Sequence, residues 1–277
     1  MMTSALNKYN NLTQRIIAGS IGAGLIVASI WINEWTFFAV FLIITALSVL
    51  EFYKLVGIDG MIPLKTFGTF SGLFVYTLVF LIERNTLSDK FYFLIFPLLS
   101  GIYLIKLYKK TDKKPFTNIA MTFLGILYIT LPLSLLNILA YFHGVYNHEI
   151  ILGVLLLSWA NDSGAYFAGS KFGKRKLFER VSPKKTWEGF LGGLIIAILL
   201  AIFLSQYFQS INLTQWIVVS FIIVISGTYG DLVESLFKRS IEIKDSGSSI
   251  PGHGGFLDRF DGFFLSLPFI VAYLEVF

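Results

Sequence analysis

Residues 190–208 read FLGGLIIAILLAIFLSQYF, nineteen consecutive residues without a charged side chain. A helix rises about 1.5 Å per residue, so a run of this length crosses the roughly 30 Å hydrocarbon core of a bilayer. The rest of the chain is similar: only 14% of its residues are charged, against about 25% in soluble domains. Backbone amides in lipid must be hydrogen-bonded within their own segment. The sequence therefore predicts an integral membrane protein built from helices.

Eight further apolar runs predict an all-α, polytopic protein with about nine transmembrane helices. No internal repeat or low-complexity linker separates the runs. We therefore expect one continuous membrane domain, with a multi-span region at 1–149 and a region at 150–277 that carries the polar motifs. The last run is short and contains Pro268. The predicted helices cover 15–32, 35–56, 67–82, 91–108, 118–142, 150–170, 190–208, 214–237 and 262–277.

The basic residues fall on one side of this arrangement. If all nine helices span, 20 of the 22 Lys and Arg residues lie in connections on one face, and only Arg84 and Lys90 lie on the other. The positive-inside rule makes the first face cytoplasmic, so we predict a cytoplasmic N-terminus and a multi-pass protein of the inner membrane. This placement accounts for the net charge of +5 without nucleic acid as a partner. The sequence has no cysteine, which excludes disulfides and thiol chemistry.

Two pairs of acids flank the predicted cytoplasmic loop before the last helix. Asp231 and Glu234 are three residues apart at the end of the eighth helix, and Asp258 and Asp261 repeat that spacing at the start of the ninth. Either pair alone fits a solvated helix end or an ion pair with a neighbouring base. Together, four carboxylates provide the hard oxygen ligands that Mg²⁺ prefers, with its remaining positions taken by water and phosphate.

The loop between these pairs predicts a phosphate-binding site. Its glycines, including Gly254 and Gly255, can expose backbone amides to an anion, although a plain turn is the alternative. His253 lies between two glycines and is either a phosphate contact or a turn residue. Four basic residues lie in or beside the loop: Lys238, Arg239, Lys244 and Arg259.

Two further polar features lie upstream. Asp162 is an ionisable residue near the end of the sixth predicted span. Placing such a side chain in the membrane costs free energy, so Asp162 is a functional candidate; a role in helix packing is the alternative. The connection that follows carries Ser182, Lys184, Lys185 and Thr186, and these side chains favour substrate binding over a simple lipid contact.

These motifs resemble those of one enzyme family. Residues 235–261 carry SxxKR, KD, PxHGG and LDRFD in order, after NDxGAY at 161–166 and SPKKTxEG at 182–189. Together they are similar to the signature of phosphatidate cytidylyltransferase, also called CDP-diacylglycerol synthase. The resemblance covers about residues 158–277 and implies an enzyme that converts CTP and phosphatidate into CDP-diacylglycerol and pyrophosphate at the cytoplasmic face of the bilayer.

The resemblance also implies roles for individual residues. It implies Mg²⁺ as cofactor, permits a second, monovalent cation such as K⁺, and suggests a homodimer. The implied metal ligands are Asp231, Asp258 and Asp261, with Asp162 and Glu234 as additional or outer ligands. Lys238 joins the three aspartates as a catalytic residue. The implied substrate-binding residues are Ser182, Lys184, Lys185, Thr186, Arg239, Lys244, His253, Gly254, Gly255 and Arg259.

Three other functions fit parts of the pattern. Asp162, Asp231 and Glu234 could serve an ion-coupled transporter, although such sites usually lie near the midplane and accompany inverted repeats. A CTP-dependent enzyme acting on another lipid acceptor would share most of the motifs. A scaffold that binds anionic lipid would use only the basic loops. Separately, Gly19, Gly22 and Gly24 predict close helix packing in the first span and offer one surface for a dimer.

Overall fold

The computed structural model describes residues 11–110, 112–244, 246–247 and 254–277, with side chains from residue 17 onward. The prediction of an all-α polytopic membrane protein is confirmed, since each of the nine predicted runs lies in helical structure. The helices begin and end within a few residues of the predicted bounds. The number of spans and the side of the N-terminus stay predictions.

Ten α-helices make up most of the described chain. A 3₁₀ segment, Asp89–Leu94, leads into the helix that begins at Ile95, and a π-helical segment, Ile126–Thr130, joins the helix that ends at Gly125 to the one that begins at Leu131. The π segment ends two residues before Pro132, whose ring disfavours the regular hydrogen bond to the previous turn. The α-helices are α1 Asn11–Ile32, α2 Glu34–Ile58, α3 Lys65–Glu83, α4 Ile95–Leu107, α5 Pro115–Gly125, α6 Leu131–Ala140, α7 Glu149–Phe172, α8 Trp187–Tyr207, α9 Leu213–Ser240 and α10 Leu257–Val276.

Among the described residues, seven helical segments are long and apolar enough to cross a membrane. α5, the π segment and α6 count as one of these, Pro115–Ala140, and the 3₁₀ segment and α4 count as another, Asp89–Leu107. The described part of the first helix, Ile17–Ile32, is apolar but shorter. α10 is not among the seven; it carries Asp258, Arg259 and Asp261 in its first turns and Pro268 inside.

The described chain divides into two compact units that are not consecutive in sequence. The first unit comprises Met1–Leu78, Lys90–Leu131 and Ile241–Arg259, and the second comprises Val79–Asp89, Pro132–Ser240 and Phe260–Phe277. In the first unit, the buried Tyr53 on α2 donates a hydrogen bond to the Thr122 carbonyl at 2.6 Å. Gly125 leaves room for that ring, because a Cβ there would collide with it.

A buried polar network ties the connections of the first unit together. Lys106, on the last turn of α4, forms an ion pair with Asp112 and donates to the Ile62 carbonyl at 2.6 Å. Asn118 donates to Asp112 at 2.6 Å and accepts from the Ile62 amide at 2.7 Å. The hydrogen bond from Lys106 is the main reason that the pKa of Asp112 lies below its usual range. The charge count from the sequence assigned Lys106 to the connection after the predicted helix 91–108, and the structure buries it on α4.

We expect Asp112→Asn to destabilise the protein by about 3 kcal/mol, because Lys106 loses its buried partner. A lowered carboxyl pKa stabilises the fold above the ordinary value of 3.8, and this contribution disappears as the pH falls through the lowered pKa. Thermal unfolding in detergent should show a large difference from wild type at neutral pH that shrinks as the pH falls below 3.8. The exposed Asp59→Asn is the matched control; an equal effect in both variants would contradict the assigned network.

In the second unit, α7 and α8 approach closely through small residues. A Cβ added at Gly164 would lie 2.9 Å from the Gly192 carbonyl oxygen. One added at Gly193 would lie 2.9 Å from the carbonyl oxygen of Asn161 and would collide with its side chain. Asn161 is buried, whereas its neighbour Asp162 is exposed. The close contact in this part of the protein therefore depends on glycines of α7 and α8.

Within the described part of one chain, the close packing predicted for the glycines of the first span is absent at Gly22 and Gly24, and the dimer surface predicted there stays a prediction. A Cβ added at Gly22 or Gly24 would have no atom within 4 Å. We therefore expect Gly193→Ala to lower the unfolding temperature, at a cost of about 1–3 kcal/mol from overpacking, and Gly22→Ala to leave it unchanged. Thermal unfolding of both variants in one detergent tests this; a destabilised Gly22→Ala with a normal Gly193→Ala would reverse the assignment.

A short antiparallel hairpin departs from the all-helical prediction. Its strands are β1, Lys176–Phe178, and β2, Ser182–Thr186. The Glu188 carboxylate accepts hydrogen bonds from the amides of Lys174 and Arg175, at 3.0 and 3.2 Å. Thr186 caps α8 by accepting from the Gly189 amide at 3.1 Å. The connection predicted as a loop is therefore a hydrogen-bonded hairpin, and its second strand carries Lys184 and Lys185.

Candidate active site

Three of the predicted metal-binding acids come together in the second unit. Asp261, near the start of α10, lies close enough to Asp231 and Glu234 for both side chains to influence its pKa. The two helices can approach because α9 has a glycine at the contact: a Cβ on Gly230 would lie 2.7 Å from the Asp261 carbonyl oxygen and 3.1 Å from Gly262 Cα. The structure thus joins the end of α9 to the start of α10 through their acids.

Two lysines belong to this acidic cluster. Lys185 Nζ lies 2.5 Å from Asp231 Oδ2 and donates to the Thr228 carbonyl at 3.3 Å, which attaches β2 to α9. Lys238 Nζ lies 3.2 Å from Glu234 Oε2, one turn further along α9. Ser235 donates to Asp231 at 3.2 Å. Asp231 and Glu234 are therefore each paired with a lysine.

The negative charge of Asp231 acts on the carboxyl group of Asp261. Removal from water and then the negative charge of Asp231 raise the pKa of Asp261 to about 7. Adjacent carboxylates repel each other unless a proton or a cation is shared between them. Within the described residues, no group of three or more acidic or histidine side chains is arranged to hold a metal ion by itself. The donors suit Mg²⁺, which takes one or two carboxylates and completes its shell with water and phosphate.

The glycine-rich loop is organised by a different aspartate, in the first unit. Asp258 Oδ2 accepts hydrogen bonds from the amides of Ser246 and Gly255, both at 3.1 Å. Gly254 has a φ of +83°, a left-handed conformation that glycine adopts without strain. Asp258 therefore fixes the two described ends of the loop.

Glu51, a residue that sequence reasoning missed, lies in the same place. It is buried on α2, accepts a hydrogen bond from the Ser246 hydroxyl, and accepts another from the Phe256 amide at 3.0 Å. A signal was present in the sequence, because Glu51 is an acid inside an apolar, membrane-length run. The motifs near the C-terminus do not include it.

The remaining predicted residues divide by exposure. Ser182 is half-buried on β2, and Thr186 is buried with its hydroxyl engaged in the helix cap. Asp162 is exposed on α7. His253 lies outside the described residues. The exposed basic residues are Lys184, Arg239, Lys244 and Arg259.

The sequence as a whole matches one family. The profile described as "Cytidylyltransferase family" covers residues 13–277, nearly the entire chain. The chain belongs to this family. The resemblance inferred from the C-terminal motifs is therefore confirmed, and the family match extends over the N-terminal helices, which had shown only an apolar pattern.

Curated relatives of the family carry a more specific name. The chain is 47% identical over 133 residues to the phosphatidate cytidylyltransferase of Haemophilus influenzae, covering 46% of this chain and 45% of that protein. It is 44% identical over 133 residues to that of Bacillus subtilis, covering 48% and 49%. It is 48% identical over 122 residues to that of Staphylococcus haemolyticus, covering 43% and 46%. The chain thus spans about half the length of the curated relatives that it matches.

Proposed function

We propose that this protein transfers the cytidylyl group of CTP to phosphatidate, giving CDP-diacylglycerol and pyrophosphate. The observation that carries the proposal is the cluster of acids and lysines in the second unit, found in a member of the cytidylyltransferase family. The names of the curated relatives support phosphatidate as the lipid acceptor.

The chemistry needs no nucleophile from the protein. A phosphate monoester has a second pKa near ~6, so phosphatidate is largely dianionic at neutral pH. One of its oxygens attacks the α-phosphorus of CTP, and the bond from that phosphorus to the bridging oxygen of pyrophosphate breaks. The protein is required to align the two phosphates and to offset their negative charge.

Asp231 and Asp261 are the carboxylates that would hold Mg²⁺, with water and phosphate completing its shell and Glu234 beside them. Asp258 stays a ligand predicted from the sequence motif alone. The ion, when bound, would neutralise the triphosphate and the departing pyrophosphate. Lys185 orients Asp231 through their ion pair. Lys238 keeps a positive charge beside Glu234. A second cation such as K⁺ remains part of the proposal on the motif alone.

We place the reaction at the cytoplasmic face of the inner membrane, because CTP is soluble and the phosphatidate head group lies at the bilayer surface. The clustering of basic residues on the connections that carry the motifs supports this orientation. CTP, phosphatidate and the bilayer are the proposed partners. A homodimer stays a prediction from the family.

Purified, detergent-solubilised protein given CTP and phosphatidate tests the proposal. Pyrophosphate and CDP-diacylglycerol should appear in equal amounts with Mg²⁺ and should be absent with EDTA. Omitting phosphatidate, or replacing it with diacylglycerol, gives the control, because neither reaction offers the phosphate nucleophile. Product from a different lipid phosphate but none from phosphatidate would show that the enzyme uses another lipid acceptor. Folded protein that binds CTP but forms no product with any lipid phosphate would overturn the proposal.

A further inference from the structure

We propose that Glu51 is a positioning residue that holds Ser246 and Phe256, at the two described ends of the glycine-rich loop, so that Asp258 can bind the backbone amides of Ser246 and Gly255. The proposal names a role for a residue of α2, far in sequence from all the motifs. It deepens the proposed function and rests on it. The described contacts within the first unit carry the argument.

Two carboxylates hold the same two pieces of chain. Asp258 accepts from the backbone amides of Ser246 and Gly255. Glu51 accepts from the Ser246 hydroxyl and from the amide of Phe256, the residue after Gly255. Both ends of the loop are therefore bound twice, once by Asp258 and once by Glu51. If the contacts to Glu51 were lost, Asp258 alone would have to fix both ends.

The packing around Glu51 is specific to a glycine at position 255. A Cβ on Gly255 would collide with the Glu51 carboxylate and with the Ser246 hydroxyl. A Cβ on Gly247 would lie 3.4 Å from the Glu51 carboxyl carbon. The loop backbone thus lies directly against the carboxylate, so its position depends on that of the Glu51 side chain.

The energetic argument favours a positioning role over simple packing. Glu51 is only 7% exposed, on a helix long and apolar enough to span a membrane. An ionisable group in such a segment is costly, whereas an apolar residue of the same size would fill the space at no electrostatic cost. What a carboxylate provides there is two acceptor oxygens, and both are used by the loop.

Hydrogen exchange of Glu51→Leu provides a test that does not depend on turnover. We expect the amides of Gly255 and Phe256 to exchange at least about 10-fold faster than in wild type. The Phe256 amide loses its acceptor, and the Gly255 amide loses the restraint of the neighbouring hydrogen bond. The exposed Glu275→Gln, also a carboxylate on a helix, is the control. Unchanged exchange of both amides in Glu51→Leu would overturn the proposal.

Kinetics of two variants separate positioning from packing. We expect Glu51→Leu to lower kcat about 100-fold and to raise the Mg²⁺ concentration needed for half-maximal rate. Glu51→Gln should stay within about 10-fold of wild type, because its amide can accept from Phe256 and donate to the Ser246 hydroxyl. Equal losses in Leu and Gln variants, or none in either, would contradict the positioning role.

The outcomes distinguish this proposal from the proposed function. Wild-type protein that makes no cytidylyl product would refute the function, while the exchange rates would still decide whether Glu51 holds the loop. If Glu51→Leu does not fold, Ser246→Ala takes its place, because it removes only the hydroxyl that donates to Glu51. It should speed exchange at Phe256 and lower kcat by about 10-fold; a variant with wild-type exchange and rate would overturn the proposal.

Discussion

Asp261→Asn should lower the rate of CDP-diacylglycerol formation by about 10²- to 10³-fold. The substitution keeps the size of the side chain but removes one of the charges that would hold the metal and offset the phosphates. It also removes the repulsion between Asp261 and Asp231. The unfolding temperature should therefore be unchanged or higher, while turnover and the apparent affinity for Mg²⁺ fall.

The matched control for Asp261 is Asp89→Asn, an exposed aspartate on the 3₁₀ segment before α4. It should leave the steady-state rate, measured as pyrophosphate release, within about 2-fold of wild type, as surface substitutions generally do. A fully active Asp261→Asn would remove the acidic cluster from the mechanism. An equally inactive Asp89→Asn would show that the assay reports a general loss of folded protein.

Lys185→Met should lower kcat/KM for CTP by about 100-fold. Lys185 forms an ion pair with Asp231 at 2.5 Å and also donates a hydrogen bond to the Thr228 carbonyl of α9. Its side chain is 25% exposed and that of Asp231 is 39% exposed, so the ion pair contributes at most about 1 kcal/mol to stability. A normal unfolding temperature with a large kinetic loss would therefore identify an effect on the site itself.

Lys176 provides the control, because it lies on the neighbouring strand β1, is exposed and carries the same charge. Lys176→Met should lower kcat/KM less than about 5-fold, mainly by weakening long-range attraction of CTP. Equal losses in the two variants, measured as initial rates over a range of CTP concentrations, would indicate a general charge effect and contradict the specific role of Lys185.

The helices could be predicted from the sequence because a bilayer leaves few alternatives for an apolar run. The hairpin of β1 and β2 could not, since its short strands carry no alternating pattern. The Glu188 carboxylate accepts hydrogen bonds from two backbone amides just before the first strand. Such contacts depend on the three-dimensional path of the chain, which the hydrophobicity pattern does not predict.

The candidate site was predictable where its residues lie close in sequence. Asp231 and Glu234 share one face of α9 because of their spacing, and Asp261 joins them in the structure. Glu51 lay beyond such reasoning, because its partners follow it by about two hundred residues. Asn161 illustrates a further limit: it is the buried residue of its motif, whereas the ionisable neighbour Asp162, which drew attention in the sequence, is exposed.

The hydrogen bonds of Glu51 also set a time order for biosynthesis. Its partners Ser246 and Phe256 follow it by 195 and 205 residues. At about 5–20 residues per second, the ribosome delivers Phe256 on the order of 10–40 s after Glu51. Throughout that interval α2 carries a carboxylate without the loop that later binds it. The first helices can enter the membrane early, but the loop geometry exists only once synthesis has reached α10, so a nascent chain stays inactive until then.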